Sequence, residues 1–371
     1  MVAKTADIAP TNREKPLLKL IAIITIMHKS PNRFKYNLRI FRKAFLPWAL
    51  SSPRHLWLTL NLFWKIWKKY KLNLHLQNQL DYPIPHSFVL SLTSDCNLTC
   101  DHCYARLYNE TKVLPEKVLE GILEQAGSLG CFFFVLTGGE PMLYPDLLDI
   151  LGNHRNSLFI LITNGTLISD DVVKKLSRSP NIIPVVSLEG GLEDTDKRRG
   201  TGTYNRIMNA FDNLESNKIL YGFSITVTSE NVEQLQKEEV FEEKYPYGGR
   251  LGCFIEYIPT GRTPNLRLCL SSAQRDSFRQ WFLKLRERSN TYLIHFPGDE
   301  ELMDNCREAG KGFIHINPEG YIESCALIPH SKYNVSKMPL GLCLNNLYRD
   351  NQQCAHLYES LEHHPCMSHR D

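Results

Sequence analysis

Acidic side chains are scarce in the first 82 residues of this 371-residue chain. Only Asp7, Glu14 and Asp81 occur there, against 15 lysines and arginines, which gives the segment a formal charge of +12. The rest of the chain holds 28 basic and 37 acidic side chains and has a charge of −9. The total charge of +3 therefore averages two segments of opposite character.

The sequence also shows no apolar stretch of membrane-spanning length. The apolar run at residues 17–27 is too short, because a spanning helix needs about 20 residues. No small-residue cleavage site of a secretory signal follows that run. We therefore predict no transmembrane segment and a cytoplasmic location, with peripheral contact to the inner face of the membrane as an option.

A disulfide framework is not expected either. The chain has 11 cysteines, an odd number, and no secretory signal, so metal binding or catalysis is the favoured use of the thiols. Hydrophobic residues make up 43% and charged residues 22%, which is typical of globular proteins and excludes a disordered, collagen-like or coiled-coil chain. The length suits a barrel-sized α/β domain with extensions.

The basic front end is rich in tryptophan. Four of the five tryptophans lie in residues 30–75, where prolines break a helical pattern into pieces. Trp57, Leu60, Trp64, Trp67 and Lys71 recur at three- and four-residue spacing and so share one helical face. This face suits an anionic membrane surface, or else it docks onto the acidic remainder of the chain. Nucleic acid is disfavoured because no nucleic-acid-binding motif accompanies the segment.

Three closely spaced cysteines follow the strand predicted at residues 88–93. Cys96, Cys100 and Cys103 fit in one compact loop, so their thiolates can bind one face of a metal centre. A structural zinc site would need a fourth ligand, and His102 is poorly placed between two of the cysteines. An open fourth position instead suits a 4Fe-4S cluster with one iron left for another ligand.

This triplet, followed by Tyr104, resembles the signature of the radical S-adenosylmethionine (radical SAM) superfamily, in which Cys-x3-Cys-x2-Cys precedes an aromatic residue. The resemblance implies that S-adenosylmethionine chelates the fourth iron and that its reductive cleavage gives a 5′-deoxyadenosyl radical, which abstracts hydrogen from a substrate. It also implies a reductant such as flavodoxin or ferredoxin, and a position for Tyr104 against the adenine.

A second motif follows the next predicted strand, residues 131–136. Gly138 and Gly139 allow close backbone approach to a ligand, and the Glu140 carboxylate can hold an ammonium group. At this distance from the cysteines the motif resembles the superfamily's Gly-Gly-Glu-Pro segment, which implies that these three residues bind the amino group of S-adenosylmethionine. By the same resemblance, Ser187 and Arg199 bind its carboxylate, although Glu189 stands where that segment usually has aspartate.

Short apolar strands closed by polar or glycine-rich turns alternate with helices along the middle of the chain. This pattern resembles the superfamily's partial six-stranded βα barrel, and we predict an α/β fold with that TIM-like barrel at residues 83–262. Residues 1–82 then form a basic amphipathic helical extension that contacts a membrane surface or covers the barrel as a lid. Residues 263–371 form a small C-terminal extension.

The C-terminal extension contains a predicted hairpin that brings Cys325 back towards Cys306, which would form half a metal site. The segment resembles the start of the SPASM or twitch extension, which implies one auxiliary iron-sulfur cluster. We choose Cys366, in a polar terminal segment, as a further ligand. The full SPASM cysteine run is absent, and Cys131, Cys343 and Cys354 are predicted to be buried core residues.

Three functions are consistent with these features. The first is a radical SAM enzyme that acts on a lipid or isoprenoid, since alkyl chains offer no acidic proton or electrophile and the front end suits a membrane. The second is the same chemistry on a peptide or protein. The third, from another class, is a non-enzymatic iron-sulfur electron carrier or a zinc-stabilised scaffold, for which Glu140 and Arg199 would have no role.

Overall fold

The computed structural model describes residues 45–85, 87–106, 110–237, 249–299, 313–327 and 331–359. Cys306 and Cys366 lie outside these ranges, as do residues 1–44 of the basic extension. Within the described residues, no helix is both long enough and apolar enough to cross a membrane.

One nine-stranded sheet organises the chain, in the order β7-β6-β5-β4-β3-β2-β1-β8-β9. All neighbouring strands are parallel except β8 and β9, which form an antiparallel hairpin. The strands are β1 Ser87–Thr93, β2 Phe133–Gly138, β3 Leu158–Thr163, β4 Ile182–Leu188, β5 Gly222–Val227, β6 Leu251–Glu256, β7 Tyr292–Phe296, β8 Phe313–Ile316 and β9 Ile322–Glu323.

Helices connect most of the parallel strands, as parallel pairing requires. Two helices precede the sheet, and one follows its last strand. The helices are α1 Leu46–Leu50, α2 Pro53–Gln77, α3 Glu116–Ser128, α4 Leu147–Asn153, α5 Asp170–Arg178, α6 Leu192–Arg199, α7 Thr203–Ser216, α8 Val232–Leu235, α9 Ser272–Arg288 and α10 Leu340–Glu359.

The core lies between the sheet and the helices that cover one of its faces. Alternate residues of each strand point into it, and the rings of Phe88, Phe134 and Phe159 stack across β1, β2 and β3 with centroids 6.1 and 5.5 Å apart. A second apolar cluster around Ile160, Ile183 and Val185 lies on the other face of the sheet. Both faces of these strands are thus buried, which is typical of a parallel barrel sheet.

The predicted partial α/β barrel is confirmed, and β1–β6 are its six expected strands. The sheet continues past residue 262, the predicted end of the barrel domain. β7 extends the sheet from β6, and β8 pairs in parallel with β1 at the other edge. Backbone hydrogen bonding therefore joins the C-terminal extension to the barrel on both sides. The predicted hairpin in this extension is present as β8 and β9.

The helical extension lies at the amino-terminal ends of the strands. Ile66 and Tyr70 of α2 pack against Phe132, immediately before β2. Lys69 donates to the carbonyl of Gly127, and Asn73 donates to that of Leu129, both of which also precede β2. The apolar contacts of α2 are therefore with the end of the barrel opposite to the cysteine loop.

Candidate functional site

The three signature cysteines lie in the loop that leaves the carboxyl end of β1. Their thiols are partly buried, and the backbone N–H of Leu98 donates to Cys96 Sγ at 3.5 Å. Burial raises the pKa of the Cys96 thiol to about 11. Burial also raises the pKa of Cys100, while the nearby Arg199 guanidinium opposes that shift. Ionisation of the Cys96 and Cys100 thiols therefore requires a strong stabilising interaction, such as coordination by a metal.

The donor set of this loop fits an iron-sulfur cluster with one open position. It offers three soft sulfur ligands within eight residues of sequence. Among the residues that the structure describes, no three His, Cys, Asp or Glu side chains are already gathered at metal-binding geometry. His102, the other candidate ligand considered in this loop, has its Nδ1 2.7 Å from the carbonyl oxygen of Thr263.

Gly138 and Gly139 bring the end of β2 against the cysteine loop. The N–H of Gly139 donates to the carbonyl of Thr93, and the N–H of Glu140 donates to that of Asp95, each at 2.7 Å. A Cβ atom on Gly139 would lie 2.0 Å from the Asp95 carbonyl oxygen, and Gly138 has φ +126°. Glycine is therefore required at both positions for the cysteine loop to pack directly against the end of β2.

Glu140 is completely buried at this junction. Its Oε1 accepts from the hydroxyl of Thr163 at 2.7 Å and from the N–H of Met142 at 3.0 Å, and its Oε2 accepts from the N–H of Asn164 at 2.7 Å. Burial raises the pKa of this carboxyl group, and the donated hydrogen bonds oppose that shift. The carboxylate is thus held in one orientation, and Oε2 keeps capacity for a further donor.

Asn164, which the sequence analysis did not single out, links β3 to the cysteine loop. Its side-chain amide donates to Asn97 Oδ1 at 2.8 Å and lies 4.0 Å from Cys96 Sγ. The signal that could have found it is its place in the Asn-Gly-Thr turn directly after β3, since ligand groups gather at the carboxyl ends of parallel strands.

Arg199 is largely shielded from solvent, with 11% of its side chain exposed, and it pairs with a carboxylate. Its Nη2 lies 2.6 Å from Glu189 Oε1, and Nη1 of Arg198 lies 2.7 Å from the same oxygen. The backbone of Arg198 accepts from the N–H of Asp101, which fixes α6 to the cysteine loop. Ser187, at the end of β4, lies 3.0 Å from Ser224 between their hydroxyl oxygens. The structure thus brings Arg199 close to the cysteines and places Ser187 at the same edge of the sheet.

Tyr104 points at the face of the sheet away from the helices. Its hydroxyl lies 2.8 Å from the hydroxyl of Thr137 on β2, and burial raises its pKa to about 12. Negative charge on Cys103 or Cys325 would raise the pKa of this phenol further, which indicates that the C-terminal extension approaches the region of the cysteine loop.

Cys325 is buried just after β9 and accepts the backbone N–H of Leu327 at 3.5 Å. Cys96 accepts the N–H of the residue two positions later in the same way. The other two proposed auxiliary ligands, Cys306 and Cys366, lie outside the described residues. Cys131 and Cys343 are buried in the core as predicted, and the side chain of Cys354 is not described.

A buried histidine is a further feature that the sequence analysis missed. His315 on β8 places Nε2 2.8 Å from the hydroxyl of Ser91 on β1, and its Nδ1 lies 2.7 Å from Glu323 Oε2 on β9. Asn317 donates to the other oxygen of Glu323 at 2.9 Å. No motif marks this histidine, because its partners come from strands more than 200 residues apart.

The parallel barrel, the cysteine loop and the buried carboxylate and guanidinium at one edge define a class of protein, the iron-sulfur enzymes that use S-adenosylmethionine. Residues 90–240 match the family model of the radical SAM superfamily. The chain contains a radical SAM domain and is a radical SAM enzyme, and the family implies a 4Fe-4S cluster and S-adenosylmethionine as cofactors.

Relatives are found among enzymes with different substrates. The AdoMet-dependent heme synthase of Methanosarcina barkeri is 24% identical over 285 residues, which cover 69% of this chain and 80% of the relative. The mycofactocin maturase MftC of Mycolicibacterium smegmatis is 25% identical over 309 residues, 78% of this chain and 76% of the relative. The crystal structure of Streptococcus suis SuiB bound to the precursor peptide SuiA has the same fold, with a TM-score of 0.59 at 20% identity over 85% of this chain and 73% of that chain.

Proposed function

We propose that this radical SAM enzyme modifies a peptide or protein substrate. The observation that carries the proposal is the extent of the likeness to the maturase MftC. That likeness covers 309 residues, well beyond the radical SAM domain at residues 90–240, and therefore includes sequence outside the domain that all such enzymes share.

Two other substrates have weaker support. The heme synthase relative favours a tetrapyrrole as a second candidate, with a match over 285 residues. The lipid or isoprenoid substrate rests on the basic front end alone. The described part of that front end lies at the amino-terminal ends of the strands, away from the cysteine loop.

In this proposal Cys96, Cys100 and Cys103 hold the 4Fe-4S cluster. When bound, the cluster and S-adenosylmethionine would supply radical chemistry for hydrogen abstraction at an unactivated carbon, with one electron provided by an external reductant such as flavodoxin or ferredoxin. Glu140 Oε2 accepts the ammonium group of S-adenosylmethionine, because its orientation is already fixed by donors from β3.

The carboxylate of S-adenosylmethionine is assigned to Arg199, with Ser187 as a hydroxyl donor at the same edge of the sheet. Glu189 holds the guanidinium in place from the other side. Gly138 and Gly139 bring the cysteine loop into contact with β2. We place the adenine against Tyr104, on the side of the site next to Thr137.

We also propose that Cys325 is a ligand of one auxiliary iron-sulfur cluster, with Cys306 and Cys366. The support is the N–H···S hydrogen bond that Cys325 accepts, which matches the one at Cys96. Hydrogen bonds to sulfur are characteristic of cysteine ligands in iron-sulfur proteins.

The experiment is anaerobic reconstitution with iron and sulfide, followed by incubation with S-adenosylmethionine and dithionite. We expect 5′-deoxyadenosine from the wild type and none from the C96A/C100A/C103A variant. Short peptides encoded beside the gene, a porphyrin and a lipid extract are then added separately, and each is analysed by mass spectrometry. A mass change in a peptide supports the proposal. A change confined to the porphyrin or to the lipid overturns it in favour of that substrate.

A further inference from the structure

The two faces of α2 have opposite surroundings. One face, formed by Ile66, Tyr70 and Asn73, is buried against the amino-terminal end of the barrel. The backbone of α2 packs closely against Gly130, because a Cβ atom at Gly130 would lie 2.5 Å from the backbone nitrogen of Asn73. The sequence did not decide whether this helix contacts the barrel or a membrane. In the structure, only this one face of the helix contacts the barrel.

The opposite face presents large apolar side chains to solvent. Trp57, Leu60 and Trp64 are 61%, 37% and 56% exposed, and they lie on one stripe of the helix. Lys68 and Lys71 continue the stripe towards the carboxyl end. The Lys68 ammonium lies 5.4 Å from the centre of the Trp64 ring, and that of Lys71 lies 4.9 Å from Trp67. Exposed tryptophans in such a row are unusual on a protein surface that contacts only water.

The charge of the helix restricts what this face can bind. α2 contains Arg54, Lys65, Lys68, Lys69 and Lys71 and no acidic residue, within a segment whose formal charge is +12. Indole rings favour the headgroup region of a bilayer, and lysines beside them extend to anionic phosphates. A surface that is both apolar and negatively charged therefore complements this face, and an anionic lipid bilayer has both properties.

We propose that the face of α2 formed by Trp57, Leu60, Trp64, Lys68 and Lys71 docks on an anionic membrane surface. The helix would lie in the plane of the interface with its other face still against the barrel. Because α2 is at the amino-terminal ends of the strands, the cysteine loop at their carboxyl ends then faces the aqueous phase. Membrane contact is thus compatible with a water-soluble peptide substrate, and it does not require a lipid substrate.

The test is flotation of the full-length protein with vesicles of phosphatidylcholine alone and of phosphatidylcholine mixed with phosphatidylglycerol. We expect flotation only with the mixed vesicles. The W57S/W64S variant should bind at least about tenfold more weakly, and K68E/K71E should lose binding in the same way.

The matched control is L192S/L266S, which removes two exposed leucines at the carboxyl end of the barrel and should bind as the wild type does. Leu192 and Leu266 are 50% and 73% exposed. Circular dichroism and light scattering of every variant check folding and oligomeric state.

Three results would overturn the proposal. The first is equal flotation of W57S/W64S and the wild type. The second is flotation that does not depend on phosphatidylglycerol. The third is no flotation of the wild type with either vesicle. If the wild type is then a dimer and W57S/W64S a monomer, the face is assigned to a second copy of the chain. None of these results depends on the substrate, so they leave the proposed function to its own assay.

Discussion

The guanidinium of Arg199 lies 2.6 Å from Oε1 of Glu189, and the two side chains are 11% and 2% exposed. Arg198 contacts the same carboxylate oxygen, while Oε2 of Glu189 has no hydrogen-bond partner among the described residues. Two guanidinium groups thus share one carboxylate oxygen. Both also oppose the rise in the pKa of the Cys100 thiol, so positive charge lies close to a cysteine that would bind the cluster.

Replacing Arg199 with alanine should weaken the binding of S-adenosylmethionine by at least about tenfold, because a charge-assisted hydrogen bond to its carboxylate contributes about 1.5–3 kcal/mol. The measurement is equilibrium dialysis of the reconstituted protein against labelled S-adenosylmethionine. Lys197 offers a control on the same helix, since it is exposed and pairs with Glu230. If R199A and K197A bind equally well, Arg199 does not hold the carboxylate.

Alanine variants of the signature cysteines should lose the iron of the radical-generating cluster. Cys96, Cys100 and Cys103 supply all the protein ligands in this assignment, so any one substitution should lower iron content after anaerobic purification. C343A is the control, because Cys343 is completely buried in the core and should affect only stability. Iron and sulfide analysis with the visible absorption spectrum gives the result. Iron content equal to wild type in C100A would refute the assignment.

A separate substitution, C325A, tests the auxiliary cluster. If Cys325 binds a second 4Fe-4S cluster, the variant should lose about half of the iron and sulfide while it still cleaves S-adenosylmethionine. The C96A/C100A/C103A variant should keep the complementary half. Iron content in C325A equal to that of C343A would mean that Cys325 is a buried core thiol.

The sequence predicted those parts of the site that depend on local spacing. The cysteine loop, Glu140 and the strand-helix alternation are each readable within a few residues. The two partners of His315 could not be predicted, because Ser91 on β1 is more than 200 residues away from Glu323 on β9 and only the folded sheet brings both to the histidine. The continuation of the sheet through β7 and β8 was also missed, since short strands at both edges carry no signal of which neighbour they pair with. The contact between α2 and the amino-terminal end of the barrel could not be predicted, because helical periodicity shows which residues share a face but not what that face contacts.

His315 should stabilise the attachment of the C-terminal extension to the barrel. Replacement with alanine leaves a buried Glu323 oxygen and the Ser91 hydroxyl without this partner, and we expect the free energy of unfolding to fall by about 2–4 kcal/mol. S91A should lose only about 1 kcal/mol, because one neutral hydrogen bond is removed. Urea unfolding followed by circular dichroism measures both. A loss in H315A no larger than in S91A would mean that the contact with Glu323 contributes little.

Stability should also depend on pH through His295. This side chain is buried between α9 and the sheet, with Nε2 3.0 Å from Glu256 Oε1 and Arg279 3.2 Å from Nδ1. Burial lowers its pKa, and the neighbouring Glu256 carboxylate only partly opposes the shift. Because the pKa in the folded state is below the unfolded value of about 6.5, the unfolded chain binds more protons between the two values.

The contribution of His295 is therefore complete above pH 6.5 and is lost as the pH falls towards the folded-state pKa. Urea unfolding of the apoprotein at pH 7.5, 6.5 and 5.5 should show the free energy of unfolding decreasing over the last step. H295N should be less stable at every pH but should show a smaller decrease, because the titrating group is gone. H75N changes an exposed histidine on α2 and should keep the wild-type dependence. The same pH dependence in H295N and the wild type would show that another group causes the decrease.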